Sequence, residues 1–62
     1  MNDLIGKEVQ IYPGDTYYKC GIIKEITESG VLFLITSTNS NSYKEGKLHF
    51  ISFSARLTFE VL

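Results

Sequence analysis

Tyr18-Lys19-Cys20-Gly21-Ile22-Ile23-Lys24-Glu25-Ile26, followed across Glu28-Ser29-Gly30 by Val31-Leu32-Phe33-Leu34-Ile35, is the stretch that decides the fold. β-Branched and aromatic residues dominate it, and no apolar stripe of helical period runs through it. Residues 17–27 read as one long strand. Gly21 in its middle predicts a bulge or sharp bend, the device by which a small barrel folds a strand back on itself. Glu28-Ser29-Gly30 predicts a compact turn, with the glycine free to take a positive φ.

Upstream, Glu8-Val9-Gln10-Ile11-Tyr12 alternates apolar and polar residues until Pro13-Gly14-Asp15 interrupts it, which makes a first strand. Downstream, every residue from Thr36 through Ser42 is Ser, Thr or Asn, and an irregular loop is expected there. That composition suits either a hydrogen-bonding lid or a disordered spacer. Lys44-Glu45-Gly46 turns the chain into a fourth strand over 47–53. Ser54-Ala55 predicts a tight or 3₁₀ turn, and Arg56 to Val61 alternates as a fifth strand with Leu57, Phe59 and Val61 inward. The fold expected is all-β: a five-stranded, strongly bent small barrel spanning residues 1–62 as a single domain.

The third and fourth strands do not alternate. Val31, Phe33 and Ile35 share one face and Leu32 and Leu34 the other, while Leu48 and Phe50 oppose Ile51 and Phe53. Strands apolar on both faces need cover on both, and one barrel has only one inside. The surplus predicts a homo-oligomer whose interface uses Leu32, Leu34, Ile51 and Phe53. Four such side chains represent about 6 to 12 kcal/mol of gross transfer free energy.

At 62 residues the chain has room for one core, and small domains of this kind usually draw extra support from disulfides, metals or partner subunits. Cys20 is the only cysteine, so an internal disulfide is excluded and a thiol-rich metal site with it. A lone thiol suits a reducing compartment. No signal peptide pattern opens the chain and no apolar run approaches the ~18 residues of a membrane span, which predicts a soluble, cytoplasmic protein without membrane contact. Six Lys and Arg against seven Asp and Glu give a net charge of −1, and generic nucleic-acid binding, which relies on a basic excess, is not expected.

Catalytic constellations are missing from the sequence pattern. His49 is the sole histidine and sits between Leu48 and Phe50 with no orienting carboxylate or nucleophile at a useful spacing. Cys20 has no neighbour in sequence that would lower its pKa and reads as a small hydrophobe. Asp15, Glu25, Glu28, Glu45 and Glu60 form no acid and base pair. No enzyme activity, metal or cofactor is expected.

Recognition is better served. Tyr12, Tyr17, Tyr18 and Tyr43 fall near loops at strand ends, where a flat ring can stack on a base or proline and a hydroxyl can make one hydrogen bond. Arg56, the only arginine, carries the group best matched to phosphate or carboxylate. These five are the candidate ligand-binding residues.

The pattern resembles the small barrels of the Sm-like and SH3-like group. Leu4-Ile5-Gly6-Lys7-Glu8-Val9-Gln10-Ile11 is similar to their opening strand, residues 18–26 to the bent second strand with its central glycine, and Ser54-Ala55 to the tight turn before the last strand. Sm-like RNA binders carry a glycine-containing motif beside a basic residue at that turn, whereas Ala55-Arg56 lacks the glycine. Peptide-binding SH3 domains use a tryptophan and a long acidic first loop, and neither is present here. The compact character also resembles small phage-encoded accessory proteins, including those that inhibit host defence or sequester nucleotide signals. The resemblance implies a non-enzymatic, oligomeric binding protein whose ligand is a nucleotide-like molecule or a host protein. An Sm-like RNA-binding ring and an SH3-like protein-interaction module are the alternatives.

Overall fold

The structure, a computed structural model, describes residues 2–62. A 3₁₀ turn, η1 (Asn2–Leu4), precedes five strands: β1 (Glu8–Ile11), β2 (Lys19–Ile26), β3 (Gly30–Thr38), β4 (Leu48–Ser52) and β5 (Phe59–Val61). A second 3₁₀ turn, η2 (Phe53–Ala55), separates the last two. All ladders are antiparallel, in the order β4-β3-β2-β1-β5. Among the described residues β4 and β5 are the sheet's edges, and no ladder joins them to complete a barrel. No helix there is long and apolar enough to cross a membrane.

The sheet nevertheless curls strongly. β3 and β5 are three strand spacings apart, about 14 Å on a flat sheet. Yet the rings of Phe33 on β3 and Phe59 on β5 meet edge to face with centroids 6.1 Å apart. Two irregularities in the β2–β3 ladder permit this, one at Cys20/Gly21, where Thr36 is the extra residue on β3, and one at Ile23/Glu25, where Lys24 is the extra residue on β2. Gly21 lies at the first, as the sequence predicts, and a Cβ there would come within 2.8 Å of the Leu34 carbonyl oxygen. The second has no glycine and was not foreseen. It sets Lys24 and Glu25 together in solvent and returns Ile26 to the core side.

The concave face holds Val9, Ile11, Ile23, Val31, Phe33, Ile35 and Ile51 as one buried cluster, with Leu4, Tyr12, Ile26, Tyr43, Leu57 and Phe59 packed around it. Leu57 and Phe59 thus lie inward as expected, whereas Val61 stays about half exposed at the β5 edge. Several element ends differ from the sequence reading. β3 runs on through Thr38, so three residues of the expected loop are strand. β5 begins only at Phe59, because Arg56 adopts a left-handed φ of 55° while its N–H caps η2 on the Phe53 carbonyl.

Register corrects one more expectation. Val31 pairs with Ile51, Leu32 with Phe50 and Leu34 with Leu48. Ile51 therefore joins the concave face, where it is 6% exposed, and cannot serve an outer interface. Leu48 and Phe50 take its place on the convex face beside Leu32 and Leu34, at 60% and 48% exposure. Phe53 falls in η2, where its N–H donates to the Ser29 carbonyl.

Gly30 does not take the positive φ expected of it. Its turn is held by Thr27, whose N–H donates to the Gly30 carbonyl and whose hydroxyl accepts from the N–H groups of Ser29 and Gly30. Glycine is needed for space: a Cβ would overlap the Ile51 carbonyl oxygen and lie 2.6 Å from Phe50 Cζ. Gly30→Ala is accordingly expected to destabilise the fold by roughly 1 to 3 kcal/mol through forced overpacking. Urea denaturation measures this, and an unchanged midpoint would contradict the close packing of β4 on Gly30.

Candidate functional site

At the end of the sheet where β1 leaves and β2 enters, the chain makes a reversal over Tyr12-Pro13-Gly14-Asp15-Thr16. Tyr12 holds a left-handed φ of 50° and Gly14 one of 95°. A tyrosine in that region is strained and persists only where its surroundings hold it. Three hydrogen bonds do so: the Tyr12 N–H donates to Thr58 O at 2.8 Å, its hydroxyl to Ala55 O at 2.8 Å, and its carbonyl accepts from the Asp15 N–H at 3.2 Å.

This reversal forms one wall of a cleft of about 430 Å³ lined by Tyr12, Asp15, Thr16, Tyr17, Lys19, Ser40, Ser42 and Tyr43. Lys19 starts β2 on its concave face, in step with buried Gly21 and Ile23. Its side chain is 6% exposed, and Nζ donates to Asp15 Oδ2 at 2.8 Å and to the Tyr17 carbonyl at 3.0 Å. The same ammonium lies 5.7 Å from the ring centroids of both Tyr12 and Tyr43. Cation–π attraction on two sides and two charge-assisted hydrogen bonds compensate for the water it has lost.

Tyr43 is braced from behind by His49, whose ring stacks on it at 4.3 Å with a 33° tilt. His49 thereby acts as a packing residue. The opposite wall comes from the Ser- and Asn-rich segment, which is ordered by its own side chains. Thr38 Oγ1 donates to the Tyr18 carbonyl and accepts from the Ser40 N–H, and Ser40 Oγ accepts from the Ser42 N–H.

The structure thus brings Tyr12, Tyr17 and Tyr43 to one place and leaves Tyr18 and Arg56 out of it. Tyr18 turns the other way, accepting from the Ser37 hydroxyl at 3.3 Å, and Arg56 is exposed on η2. Lys19, Asp15 and Thr16 were not anticipated as site residues, whereas Ser40 and Ser42 belong to the segment whose composition suited either a hydrogen-bonding lid or a spacer. The spacing of Asp15 and Lys19, four apart across Thr16 and two tyrosines and directly after Pro13-Gly14, was the available signal. Among the described residues no cluster of His, Cys, Asp and Glu could hold a metal ion. Burial pushes the Cys20 thiol above its usual value, with the nearby Glu8 carboxylate adding to the effect. A raised thiol is a poor nucleophile at neutral pH.

The convex face carries a separate feature. Ile22 pairs with Leu34 and Leu34 with Leu48 in one cross-strand row, and Leu32 pairs with Phe50 in the next. Glu8, beside Ile22, accepts a hydrogen bond from the Thr36 hydroxyl at 2.9 Å and marks the polar limit of this strip. Since Lys19 belongs to the concave face, cleft and strip occupy opposite sides of the sheet. No family model, no curated protein and no solved structure matches the chain.

Burial raises the Tyr43 hydroxyl above its ordinary pKa of 10.0, with Tyr12 and then Asp15 adding to the shift. An unfolded chain would release this proton first, so the neutral phenol stabilises the fold below about pH 10 and that contribution is lost as pH rises through the higher folded value. Cys20 adds a loss of the same sign. Tyr43→Phe should therefore flatten, without abolishing, the fall in urea midpoint between pH 9.5 and 11; an unaltered slope would mean that Tyr43 is not desolvated.

Proposed function

We propose that the chain is a non-catalytic binding protein of the Sm-like and SH3-like small-barrel type, which takes a nucleotide-like ligand in its tyrosine-lined cleft and assembles with copies of itself. The strand order, the irregularity of the β2–β3 ladder beside Gly21, the turn before β5 and the Phe33–Phe59 contact across the curl support the barrel reading. One observation carries the ligand reading: the rings of Tyr12 and Tyr43 flank a buried lysine in a cleft that Tyr17, Thr16, Ser40 and Ser42 also line.

Each part has a chemical counterpart in a nucleotide. A base can stack on a tyrosine ring, a sugar or base edge can bond to hydroxyls, and a phosphate can approach the ammonium. The cleft volume of about 430 Å³ lies within the range of small-molecule sites. Calorimetric titration with adenosine 5′-monophosphate tests the reading. Removal of a stacking ring in Tyr43→Ala should weaken binding by roughly 5- to 100-fold. Equal affinity of wild type and variant would remove the cleft as the binding site.

Assembly is supported by the exposed Leu48 and Phe50 beside half-buried Ile22, Leu32 and Leu34. A second copy covering this strip would bury apolar area that water otherwise meets. Wild type at tens of micromolar should sediment as an oligomer, and Phe50→Glu should sediment as a monomer with its cleft affinity kept, because the two features lie on opposite faces. A monomeric wild type would favour the second reading, a module that presents the same strip to a foreign protein.

A further inference from the structure

We propose that Asp15 is a resident stand-in for the ligand's anionic group, holding the lysine until a phosphate or carboxylate on the incoming molecule takes its place. The inference rests on the reading of the cleft as a nucleotide-like site and assigns the residue that sets its selectivity for charge.

The pair is asymmetric. Lys19 is fixed: its backbone is paired with Thr38 in the sheet, its side chain is 6% exposed, and its ammonium is held by the Tyr17 carbonyl and two tyrosine rings. Asp15 is not fixed in the same way. Its side chain is 57% exposed, and it sits on the reversal next to Gly14, around whose Cβ position nothing approaches within 4 Å. A buried cation thus has as its counter-ion a carboxylate that stands mostly in water.

Such an arrangement can exchange partners at low cost. Losing Lys19's counter-ion without replacement would strand a buried charge, which is expensive, whereas returning Asp15 to water is not. Any anion that enters the cleft and reaches Nζ satisfies Lys19 and releases Asp15 outward. A phosphate monoester brings more charge and more acceptor oxygens than a carboxylate and is the stronger competitor. A neutral ligand brings no charge to replace that of the carboxylate and leaves the pair closed.

The apparent affinity for an anion is then its intrinsic affinity reduced by the fraction of molecules in which Asp15 occupies the lysine. Removing that carboxylate frees the site and also removes its repulsion of the incoming charge. The test uses the full chain titrated with adenosine 5′-monophosphate, adenosine and inorganic phosphate in wild type, Asp15→Asn and Lys19→Met. Asp15→Asn should bind the monophosphate about tenfold more tightly than wild type and adenosine equally well. Lys19→Met should bind the monophosphate no better than adenosine. Inorganic phosphate should bind Asp15→Asn more tightly than it binds wild type, and tighter binding to wild type would overturn the proposal.

Unchanged or weaker monophosphate binding in Asp15→Asn, with adenosine still bound, overturns the role of Asp15 and leaves the cleft reading standing. If neither nucleoside nor nucleotide binds any variant, the cleft reading falls and this inference with it. Should Asp15→Asn fold poorly, the wild type decides. The Asp15 side-chain carboxyl carbon, followed by NMR, should move toward the position of a free aspartate on saturation with the monophosphate but not with adenosine. No movement overturns the proposal.

Discussion

A sheet with one apolar concave face and no second layer has to supply its own cover, and curling is the way it does so. Seven side chains, from Val9 on β1 to Ile51 on β4, meet in a single buried cluster among the described residues. They touch across a β2–β3 ladder that is irregular at two places, and the edge-to-face contact of Phe33 with Phe59 is where the two halves of the curl meet. The two tightest backbone approaches, at Gly21 and Gly30, follow from this requirement, since a side chain at either would hold neighbouring strands apart.

Curling also places the polar features. The chain leaves β1 at Tyr12 in a strained conformation that the residues around η2 hold in place, and Tyr12 and Tyr43 pack against the rim of the core with their rings toward Lys19. The cleft therefore sits on the core's own edge, and two of the rings that line it, Tyr12 and Tyr43, also pack against the core. An ammonium on this face is tolerable because each element nearby gives it something: a carbonyl from the chain before β2, a carboxylate from the reversal, and two ring faces.

Much of the fold was legible because it depended on local chemistry. The bulge at Gly21, the 3₁₀ turn at Ser54-Ala55 and the inward set on β1 and β3 all follow from residue type and alternation. Ile51 was misplaced because β4 is apolar on successive residues, so its phase depends on cross-strand register with β3, which local pattern does not encode. Three of the four tyrosines come together in the cleft, yet Lys19 was not singled out. Lysine on a strand usually points to solvent, and part of what surrounds this one, the ring of Tyr43, arrives from 24 positions downstream. Arg56 looked like an anion ligand by chemistry alone, and its left-handed cap turned out to be the structural fact about it.

The pairing of β1 with β5 bears on how the molecule comes together in time. Val9 lies opposite Val61, 52 positions along the chain, whereas Ile26 and Val31 of the β2–β3 hairpin are only five apart. Ordering a long loop costs entropy before any contact compensates for it, so ladders between distant segments form late. Folding should thus begin at the central hairpin and finish with the last strand, leaving β1 as a transient open edge during synthesis and making the nascent chain most prone to mispairing just before β5 docks.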